Sequence, residues 1–177
     1  MIYFIRHGQT DWNKLKVMQG QVDIPLNENG INQAKEVGKN LQGITFDYVY
    51  CSPFLRARQT LENLGIEIDS EKISFDERLK ERSYGDFEGK PRDSFDYDKC
   101  WYHSLSLTTG NIEPVNKFFD RVANLIKEIE KQHKGKNVLI VAHGGISRAF
   151  KIYFDGLTDD DISSFLPNNG EILKFKL

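Results

Sequence analysis

The apolar positions of this chain alternate between short continuous runs, typical of strands, and longer stretches with helical spacing. Residues 1–6 begin with the run Met-Ile-Tyr-Phe-Ile, which predicts a buried first strand. Residues 30–41 carry apolar side chains at helical spacing and are closely followed by a glycine, so they predict an amphipathic helix. Residues 48–51 predict a second strand, and Ser52-Pro53, an N-cap residue followed by proline, predicts a helix that begins at Ser52.

The second half of the chain shows the same alternation. Residues 66–77 contain short β-like pieces that predict one strand without clear bounds. Residues 115–129 carry the longest apolar stripe at helical spacing and predict a helix. Residues 138–142 are all apolar and run into a His-Gly-Gly sequence, after which helical spacing resumes, so this unit predicts a strand, a turn and a helix. Residues 171–177 alternate imperfectly and predict a last strand.

Strands and helices that alternate in this way are typical of a three-layer α/β fold with a largely parallel sheet. The length of 177 residues fits one domain. Residues 83–112 depart from the alternation, because Gly, Pro, Asp, Ser and Thr lie between scattered aromatic residues and neither period is sustained. We therefore expect residues 1–177 to form a single domain in which residues 83–112 are an irregular, lid-like excursion.

The composition excludes several classes of protein. Lys and Arg number 24 against 26 Asp and Glu, and this net charge of -2 argues against nucleic acid or an anionic membrane as a partner. Hydrophobic residues make up 39% of the chain, which excludes global disorder. Cys51 and Cys100 form no paired motif, and the N-terminal apolar run is too short for a signal peptide or a membrane span. We expect a soluble cytoplasmic protein; its oligomeric state is not predicted.

The candidate chemistry lies at the ends of the predicted strands, where open α/β sheets bind ligands. Three such ends carry unusual residues: Arg6-His7-Gly8, Ser52 followed by Arg56 and Arg58, and His143-Gly144-Gly145. Taken singly, a His-Gly pair is typical of a turn and a lone arginine is typical of a solvated charge. If the three strands are neighbours, however, two histidines and an arginine face one crevice. That combination indicates an anion site with a candidate histidine nucleophile.

Such a site has the properties that phosphoryl transfer requires. Burial and positive neighbours both lower the pKa of a histidine, which leaves one ring nitrogen unprotonated and nucleophilic. Arginines hold a phosphoryl group through their fork-shaped donors and stabilise its oxygens during transfer. The glycines after His7 and His143 allow backbone N–H groups to approach the same oxygens.

Further motifs follow in order along most of the chain. The first set extends the strand end at Arg6-His7-Gly8 with Gln9-Thr10-Asp11-Trp12-Asn13, Gln19-Gly20, Asp23, Pro25-Leu26, Gly30 and Gln33-Ala34. The second set consists of Ser52-Pro53-Phe54-Leu55-Arg56-Ala57, Gln59-Thr60, Leu79-Lys80-Glu81, Gly85-Asp86-Phe87-Glu88-Gly89 and Ala142-His143-Gly144-Gly145. In this order the motifs resemble those of the histidine phosphatase superfamily, also called the phosphoglycerate mutase-like family.

The resemblance implies a covalent mechanism in which His7 attacks phosphorus and becomes phosphohistidine. It also implies that Arg6, Arg56 and His143 line the phosphate pocket, with His143 cationic. Glu81 corresponds to the acidic residue that protonates the leaving oxygen and then takes a proton from water. Without the resemblance, Glu81 would be interpreted as an exposed charge.

The resemblance assigns weaker roles to further residues and also implies a fold. Asn13 adds a neutral donor, Gln19 and Gly20 line the mouth of the site, and Gly144 is a binding residue beside the phosphate. The implied fold is a phosphoglycerate mutase-like three-layer αβα sandwich around a mixed sheet, mostly parallel with one antiparallel strand.

The expected function is that of a histidine acid-type phosphatase, a phosphomonoesterase acting on a small phosphorylated metabolite without a metal or other cofactor. The alternative is a phosphoglycerate mutase-type phosphoryl transferase, but mutases of this family carry longer chains with segments that close over a bisphosphorylated cofactor. A silent phosphate-binding protein and a zinc hydrolase are further alternatives. The substrate could be a sugar phosphate, phosphoglycerate, a nucleotide-derived phosphate such as ribazole phosphate, or a phosphoprotein.

Several residues of similar types are given no part in the chemistry. Arg58 is expected to form a surface ion pair, because it points to a different helix face from Arg56. His103 and His133 match no motif and are expected on the surface. Four aromatic residues of the excursion are expected either to contact the non-phosphate end of a substrate or to pin the loop onto the core: Phe95, Tyr97, Trp101 and Tyr102.

Overall fold

Most of the apolar runs and helical repeats form the strands and helices that they predict. The computed structural model describes residues 1–102 and 109–177, so His103 lies outside the described residues. The strands are β1 Ile2–Arg6, β2 Tyr48–Cys51, β3 Ile73–Phe75, β4 Val138–Ala142 and β5 Ile172–Phe175. The helices are α1 Asp11–Lys14, α2 Glu28–Asn40, α3 Leu55–Asn63, α4 Val115–Gln132, α5 Gly144–Asp155 and α6 Asp159–Ser164. The short helices α1 and α6 carry no long apolar repeat and were not predicted.

The five strands form one sheet in the order β3-β2-β4-β1-β5. Only β5 runs antiparallel to its neighbour, so the expected mixed, mostly parallel sheet is confirmed. The register pairs Arg6 with Ala142 and Cys51 with Val141, so β1, β4 and β2 end at the same edge. The residues that follow these three strands are therefore brought together at that edge.

Alternate side chains of the central strands enter two separate cores, because successive residues of a strand point to opposite faces. On one face, Phe4 and Ile140 pack with the apolar stripes of α4 and α5. On the other face, Ile5 and Val141 pack with α2 and α3. Each fully buried aliphatic or Phe side chain contributes roughly 1.5–3 kcal/mol relative to exposure. The fold is thus the expected three-layer αβα sandwich.

The start of α3 differs from the sequence prediction. The helix begins at Leu55 rather than at Ser52, and its N-cap residue Phe54 makes no side-chain cap. The backbone N–H of Leu55 instead donates to the distant Asp23 carboxylate at 2.7 Å. The hydroxyl of Ser52 lies 2.7 Å from a ring nitrogen of His143. The Ser52 hydroxyl, which the local pattern predicts as a helix cap, therefore hydrogen-bonds to a side chain 91 residues away in the sequence.

A close backbone contact fixes the loop after β1 against α2. A Cβ atom at Gly8 would lie 2.3 Å from the carbonyl oxygen of Gly30, and one at Gly30 would lie 2.1 Å from the carbonyl oxygen of Gln9. Backbone atoms on both sides leave no room for either Cβ, so glycine is required at both positions. His7 lies between the end of β1 and Gly8, so this contact holds His7 close to the N-terminus of α2.

Two sequence assignments outside the site are wrong. His133 is only 5% exposed, since its Nε2 lies 2.8 Å from the Tyr50 hydroxyl and its ring stacks on Tyr48 at 3.8 Å. Arg58 is exposed as expected, but among the described residues it forms no salt bridge. Its guanidinium lies over the Phe75 ring at 5.2 Å instead. In both cases the partner comes from a neighbouring strand, which local spacing does not reveal.

Neither cysteine takes part in a disulfide bond, since Cys51 and Cys100 are both buried and free. Burial raises the pKa of both thiols, that of Cys100 to about 11, so both stay protonated at neutral pH. Within residues 1–102 and 109–177, none of the helices combines the length and the apolar content that crossing a bilayer requires.

Candidate active site

The aligned ends of β1, β2 and β4 open into a cleft of about 970 Å³. Four of the residues expected to carry the chemistry line it: Arg6, His7, Arg56 and Glu81. The expected binding residues also line it: Asn13, Gln19, Gly20 and Gly144. His143 does not reach the cleft surface; its ring is fully buried, with its centroid 5.1 Å from that of His7. The fold therefore brings together all nine residues expected to carry the chemistry or to bind the substrate, eight of them in the cleft lining.

A contact with its own neighbour fixes the orientation and the tautomer of the His7 ring. Its Nδ1 lies 2.7 Å from the carbonyl oxygen of Gly8. A carbonyl oxygen can only accept, so Nδ1 carries the proton and Nε2 keeps its lone pair. Burial, followed by the charges of Arg56 and Arg6, lowers the pKa of His7 well below its ordinary value of 6.5. The ring is therefore an unprotonated nitrogen base at neutral pH.

His143 is neutral too, which contradicts the expectation of a cationic ring. The Nε–H of Arg56 donates to its Nδ1 at 3.2 Å, so that nitrogen acts as an acceptor. Its Nε2, 2.7 Å from the Ser52 hydroxyl, then carries the single ring proton. Burial, followed by the charge of Arg56, lowers the pKa of His143 well below 6.5. His143 thus acts as a support beneath Arg56.

Arg56 is fixed by three hydrogen bonds to other groups of the protein. It is 1% exposed, and its Nη1 and Nη2 each donate at 2.8 Å to a backbone carbonyl, those of Val22 and Gly20. Its Nε donates to His143. Since a guanidinium has five N–H groups, one on each terminal nitrogen is left for a ligand. Burial lowers the pKa of Arg56 to about 10, which leaves the charge intact at neutral pH.

Arg6 presents an incompletely satisfied guanidinium. Its Nη1 donates to the carbonyl oxygen of Pro167, while its Nε is buried without a hydrogen-bond partner among the described residues. Burial lowers the pKa of Arg6 as well. A buried donor without an acceptor costs about 1–3 kcal/mol, and an anion that accepted from it would recover that cost. The two arginines therefore form an anion site whose donors are in place before an anion binds.

Glu81 is oriented by two backbone N–H groups. One carboxylate oxygen accepts from Gly145 at 2.9 Å, and the other accepts from Arg82 at 2.8 Å. A Cβ atom at Gly145 would lie 2.1 Å from the Glu81 carboxylate and 2.8 Å from the Trp101 ring. Glycine at this first turn of α5 is therefore what allows Glu81 to approach the cleft.

Three of the expected binding residues, Asn13, Gln19 and Gly20, differ in which of their hydrogen-bonding groups remain available to a ligand. The Asn13 side-chain oxygen accepts from the backbone N–H of Thr10 at 3.1 Å. Its amide nitrogen is thus the group available to a ligand, as expected for a neutral donor. Gln19 uses its oxygen to accept from Thr10, and Gly20 uses its carbonyl to hold Arg56. These last two residues shape the cleft wall by supporting their neighbours.

The sequence analysis missed cleft residues that precede β5. Leu166 and Asn169 line the cleft, and the Asn169 side chain donates to the backbone oxygen of His7 at 2.9 Å. Because β5 is antiparallel to β1, the loop that enters β5 lies where β1 ends. No motif marks this loop, so only the strand order could have identified it.

The mouth of the cleft contains part of the excursion. Phe95 and Tyr97 pack against the core, as one of the two expectations has it, and both also line the cleft. Trp101 is fully buried and belongs to the core alone, whereas Tyr102 is absent from the lining. Leu15 is 68% exposed on the cleft wall, which leaves the mouth accessible to solvent.

Within the described part of the chain, no group of three or more His, Cys, Asp or Glu side chains is arranged to hold a metal ion. The charged groups that line the cleft include the buried guanidinium groups of Arg6 and Arg56. Two cations side by side attract an anion and repel a metal cation. The geometry suits a phosphoryl group carrying negative charge.

The two buried histidines predict how stability depends on pH. Both stay neutral in the fold below pH 6.5, whereas in the unfolded chain they take up protons there. The contribution of these two rings to the free energy of unfolding is therefore fully present above about pH 6.5. As the pH falls from there toward their lowered pKa values, the free energy of unfolding decreases by up to ~1.4 kcal/mol per pH unit for each ring. Urea unfolding at several pH values should show the His143→Gln variant losing less stability on acidification than the wild type. An identical pH dependence in the two proteins would contradict this assignment.

The comparisons with known proteins agree with this geometry. The sequence model of the histidine phosphatase superfamily (branch 1) matches residues 2–177. A Bacillus subtilis protein, the uncharacterized phosphatase PhoE, is 33% identical over 155 residues, which cover 88% of this chain and 77% of PhoE. A phosphoglycerate mutase from Schizosaccharomyces pombe is 35% identical over 176 residues, which cover 92% of this chain and 82% of the mutase. A mutant phosphoserine phosphatase from Entamoeba histolytica, solved with phosphoserine, matches with a TM-score of 0.83 and 28% identity, covering 97% of this chain and 87% of that one.

Proposed function

Since this chain belongs to the histidine phosphatase superfamily, branch 1, we propose that it is a phosphomonoesterase that hydrolyses a small phosphorylated metabolite through a phosphohistidine on His7. One observation carries the proposal most directly. The hydrogen bond to the Gly8 carbonyl places the proton of the neutral, buried His7 ring on Nδ1, so Nε2 carries the lone pair in a cleft lined by Arg6 and Arg56. This is the arrangement of a nucleophile beside a phosphate pocket.

The proposed reaction has two displacement steps. In the first, the Nε2 lone pair of His7 forms a bond to phosphorus while the bond from phosphorus to the ester oxygen breaks and Glu81 gives that oxygen a proton. In the second, water attacks the phosphohistidine, Glu81 takes a proton from it, and the N–P bond breaks to release phosphate. Arg6 and Arg56 stabilise the phosphoryl oxygens in both steps.

Hydrolysis and mutase-type transfer differ only in whether water or a second substrate oxygen receives the phosphoryl group. The exposed wall at Leu15 leaves the cleft open to water, which supports hydrolysis. The similarity to a phosphoglycerate mutase supports the second candidate. Incubation with 3-phosphoglycerate, with and without 2,3-bisphosphoglycerate and with chelator present, separates them. We expect free phosphate as the main product, and 2-phosphoglycerate in excess of phosphate would favour the mutase.

The class of substrate is tested by a panel of phosphorylated compounds. The panel includes phosphoserine, sugar phosphates and nucleotide-derived phosphates, and free phosphate is the readout. Hydrolysis of at least one small metabolite at a kcat/KM on the order of 10⁴ M⁻¹s⁻¹ or above is expected of a physiological substrate. Turnover of a phosphopeptide in preference to every small compound would contradict the proposed substrate class.

The role proposed for Glu81 predicts a dependence on the leaving group. Glu81→Gln keeps the shape of the side chain but removes its proton, so it should slow glycerol 2-phosphate by about 100-fold or more. The variant should slow p-nitrophenyl phosphate much less, because that leaving oxygen needs little protonation. Steady-state kinetics with the two substrates check this expectation, and equal slowing on both would argue against proton transfer by Glu81.

A further inference from the structure

Arg121 of α4 lies outside the cleft lining, yet its guanidinium contacts the backbone that carries Glu81. Its Nη2 donates to the Glu81 carbonyl at 3.2 Å, and its Nη1 donates to the Arg78 carbonyl at 2.7 Å. Its guanidinium also donates to the Glu113 carboxylate, at 2.8 Å from Nε and 3.0 Å from Nη2. We propose that Arg121, held by Glu113, is a positioning residue that sets where the Glu81 carboxylate lies in the cleft. The proposal rests on the proposed function, since it presumes proton transfer by Glu81.

We call the Arg121–Glu113 pair, with its hydrogen bonds to this backbone, the clamp. Through Glu113 the clamp also reaches the residues that follow Glu81. The Glu113 carboxylate accepts from the backbone N–H of Ser83 at 3.2 Å, and its own N–H donates to the Ser83 carbonyl at 2.9 Å. Its carbonyl accepts from Arg82 Nε at 2.9 Å. One carboxylate therefore joins the start of the excursion to Arg121 on a helix with a buried apolar stripe. The segment from Arg78 to Ser83 is thus held at one end by Arg121 of α4 and at the other by Glu113, which precedes α4.

The contacts of the Glu81 carboxylate itself do not replace this clamp. Its bond to the Arg82 N–H comes from the adjacent residue and moves with the same segment. Its bond to the Gly145 N–H is the contact that ties the side chain to α5. Apart from Arg121, the Glu81 carbonyl accepts from the exposed Gln21 side chain at 3.1 Å. The Arg121–Glu113 pair is less exposed, at 22% and 18%, and so is better shielded from solvent.

Loss of the clamp should therefore act on proton transfer more than on phosphate binding. A displacement of about 1 Å at a catalytic group can cost on the order of 100-fold in rate. Arg6, His7 and Arg56 are held by β1, α3 and the loop before β5, so they do not depend on Arg121 for their contacts. The expected signature is a selective loss on substrates whose leaving oxygen needs a proton.

The test compares Arg121→Met and Glu113→Gln with the wild type on glycerol 2-phosphate and p-nitrophenyl phosphate. We expect kcat/KM to fall about 30-fold on the alkyl ester and less than about 3-fold on the aryl ester. Arg121→Lys keeps the charge without the fork of donors and should give an intermediate loss. Circular dichroism and urea unfolding identify any variant that does not fold, and Glu113→Gln, which preserves side-chain volume, then carries the test.

Arg78→Met is the matched control. Arg78 pairs with Asp76 and with Glu128 of the same helix α4, but its side chain makes no hydrogen bond to Glu81 among the described residues. The control should therefore leave kcat/KM on both esters close to the wild-type values. Equal losses on both esters in the Arg121 and Glu113 variants, or the same selectivity in Arg78→Met, would overturn the proposal.

The Glu81→Gln variant separates the two levels of inference. If Glu81→Gln is selective and Arg121→Met is not, the positioning role fails while the proposed function stands. If Glu81→Gln shows no selectivity, the proton-transfer role fails and the positioning role fails with it. Adding Arg121→Met to Glu81→Gln should bring no further selectivity, because both changes act on one proton transfer.

Discussion

His7→Ala is expected to reduce phosphate release by on the order of 10⁵-fold or more, because it removes the atom to which the phosphoryl group is transferred. Neighbouring groups cannot replace it. The fully buried His143 uses both ring nitrogens in contacts with Arg56 and Ser52, so it presents no free lone pair to a substrate. Rapid alkaline quenching during turnover should capture a phosphoryl adduct that later acid treatment removes in the wild type, and no adduct in the variant.

The matched control for this variant is His133→Ala. His133 is also a buried histidine with a pKa lowered by burial, but it contacts Tyr50 and Tyr48 rather than the cleft. Its removal should cost some stability and leave kcat/KM within about 3-fold of the wild type. Near-normal turnover by His7→Ala, or an adduct that persists without His7, would refute the nucleophile assignment.

Arg56→Lys is expected to lower kcat/KM by about 100- to 1,000-fold, although it keeps the positive charge. Arg56 uses three separate donors to hold Val22, Gly20 and His143 while one N–H on each terminal nitrogen remains for the phosphoryl group. A lysine ammonium has its three N–H groups on one atom and cannot reach these acceptors together with a ligand. The substitution also removes the Nε–H that donates to His143, so the side chain is no longer held by His143.

Arg58→Lys on the same helix is the control for this second variant. Arg58 is exposed and lies over Phe75, so its change should leave both activity and the free energy of unfolding nearly unchanged. Steady-state kinetics at saturating and limiting substrate then separate weaker binding from slower transfer. Wild-type kcat/KM in Arg56→Lys would show that a point charge suffices and that the two-pronged contact is unnecessary.

Much of the fold could be predicted from the order of apolar patterns. The runs at Ile2–Arg6, Tyr48–Cys51 and Val138–Ala142 form the three strands that end at one edge, and the repeats around them form the two helical layers. These elements depend on hydrophobic periodicity, which is a property of neighbouring residues. The short helices Asp11–Lys14 and Asp159–Ser164 contain too few apolar positions for the same signal.

The candidate site could be predicted in part for a related reason. Its residues stand next to strand ends, so strand positions and motifs together located Arg6, His7, Arg56 and His143. Glu81 has no such position and was identified only through the family resemblance. Arg121 and Glu113 match no motif that the sequence analysis used, and their relation to Glu81 emerges only from the contacts of α4.

The sequence by itself thus determined the layers of the fold and the residue types at the ends of its strands, because periodicity and strand ends are written in consecutive positions. The tertiary structure decided the protonation of His143, the start of α3, and the place of Asn169 beside His7. Each of these depends on which of several distant hydrogen-bonding groups comes within 3 Å or so of another. That competition is resolved only when the strands pair and the loops between them close.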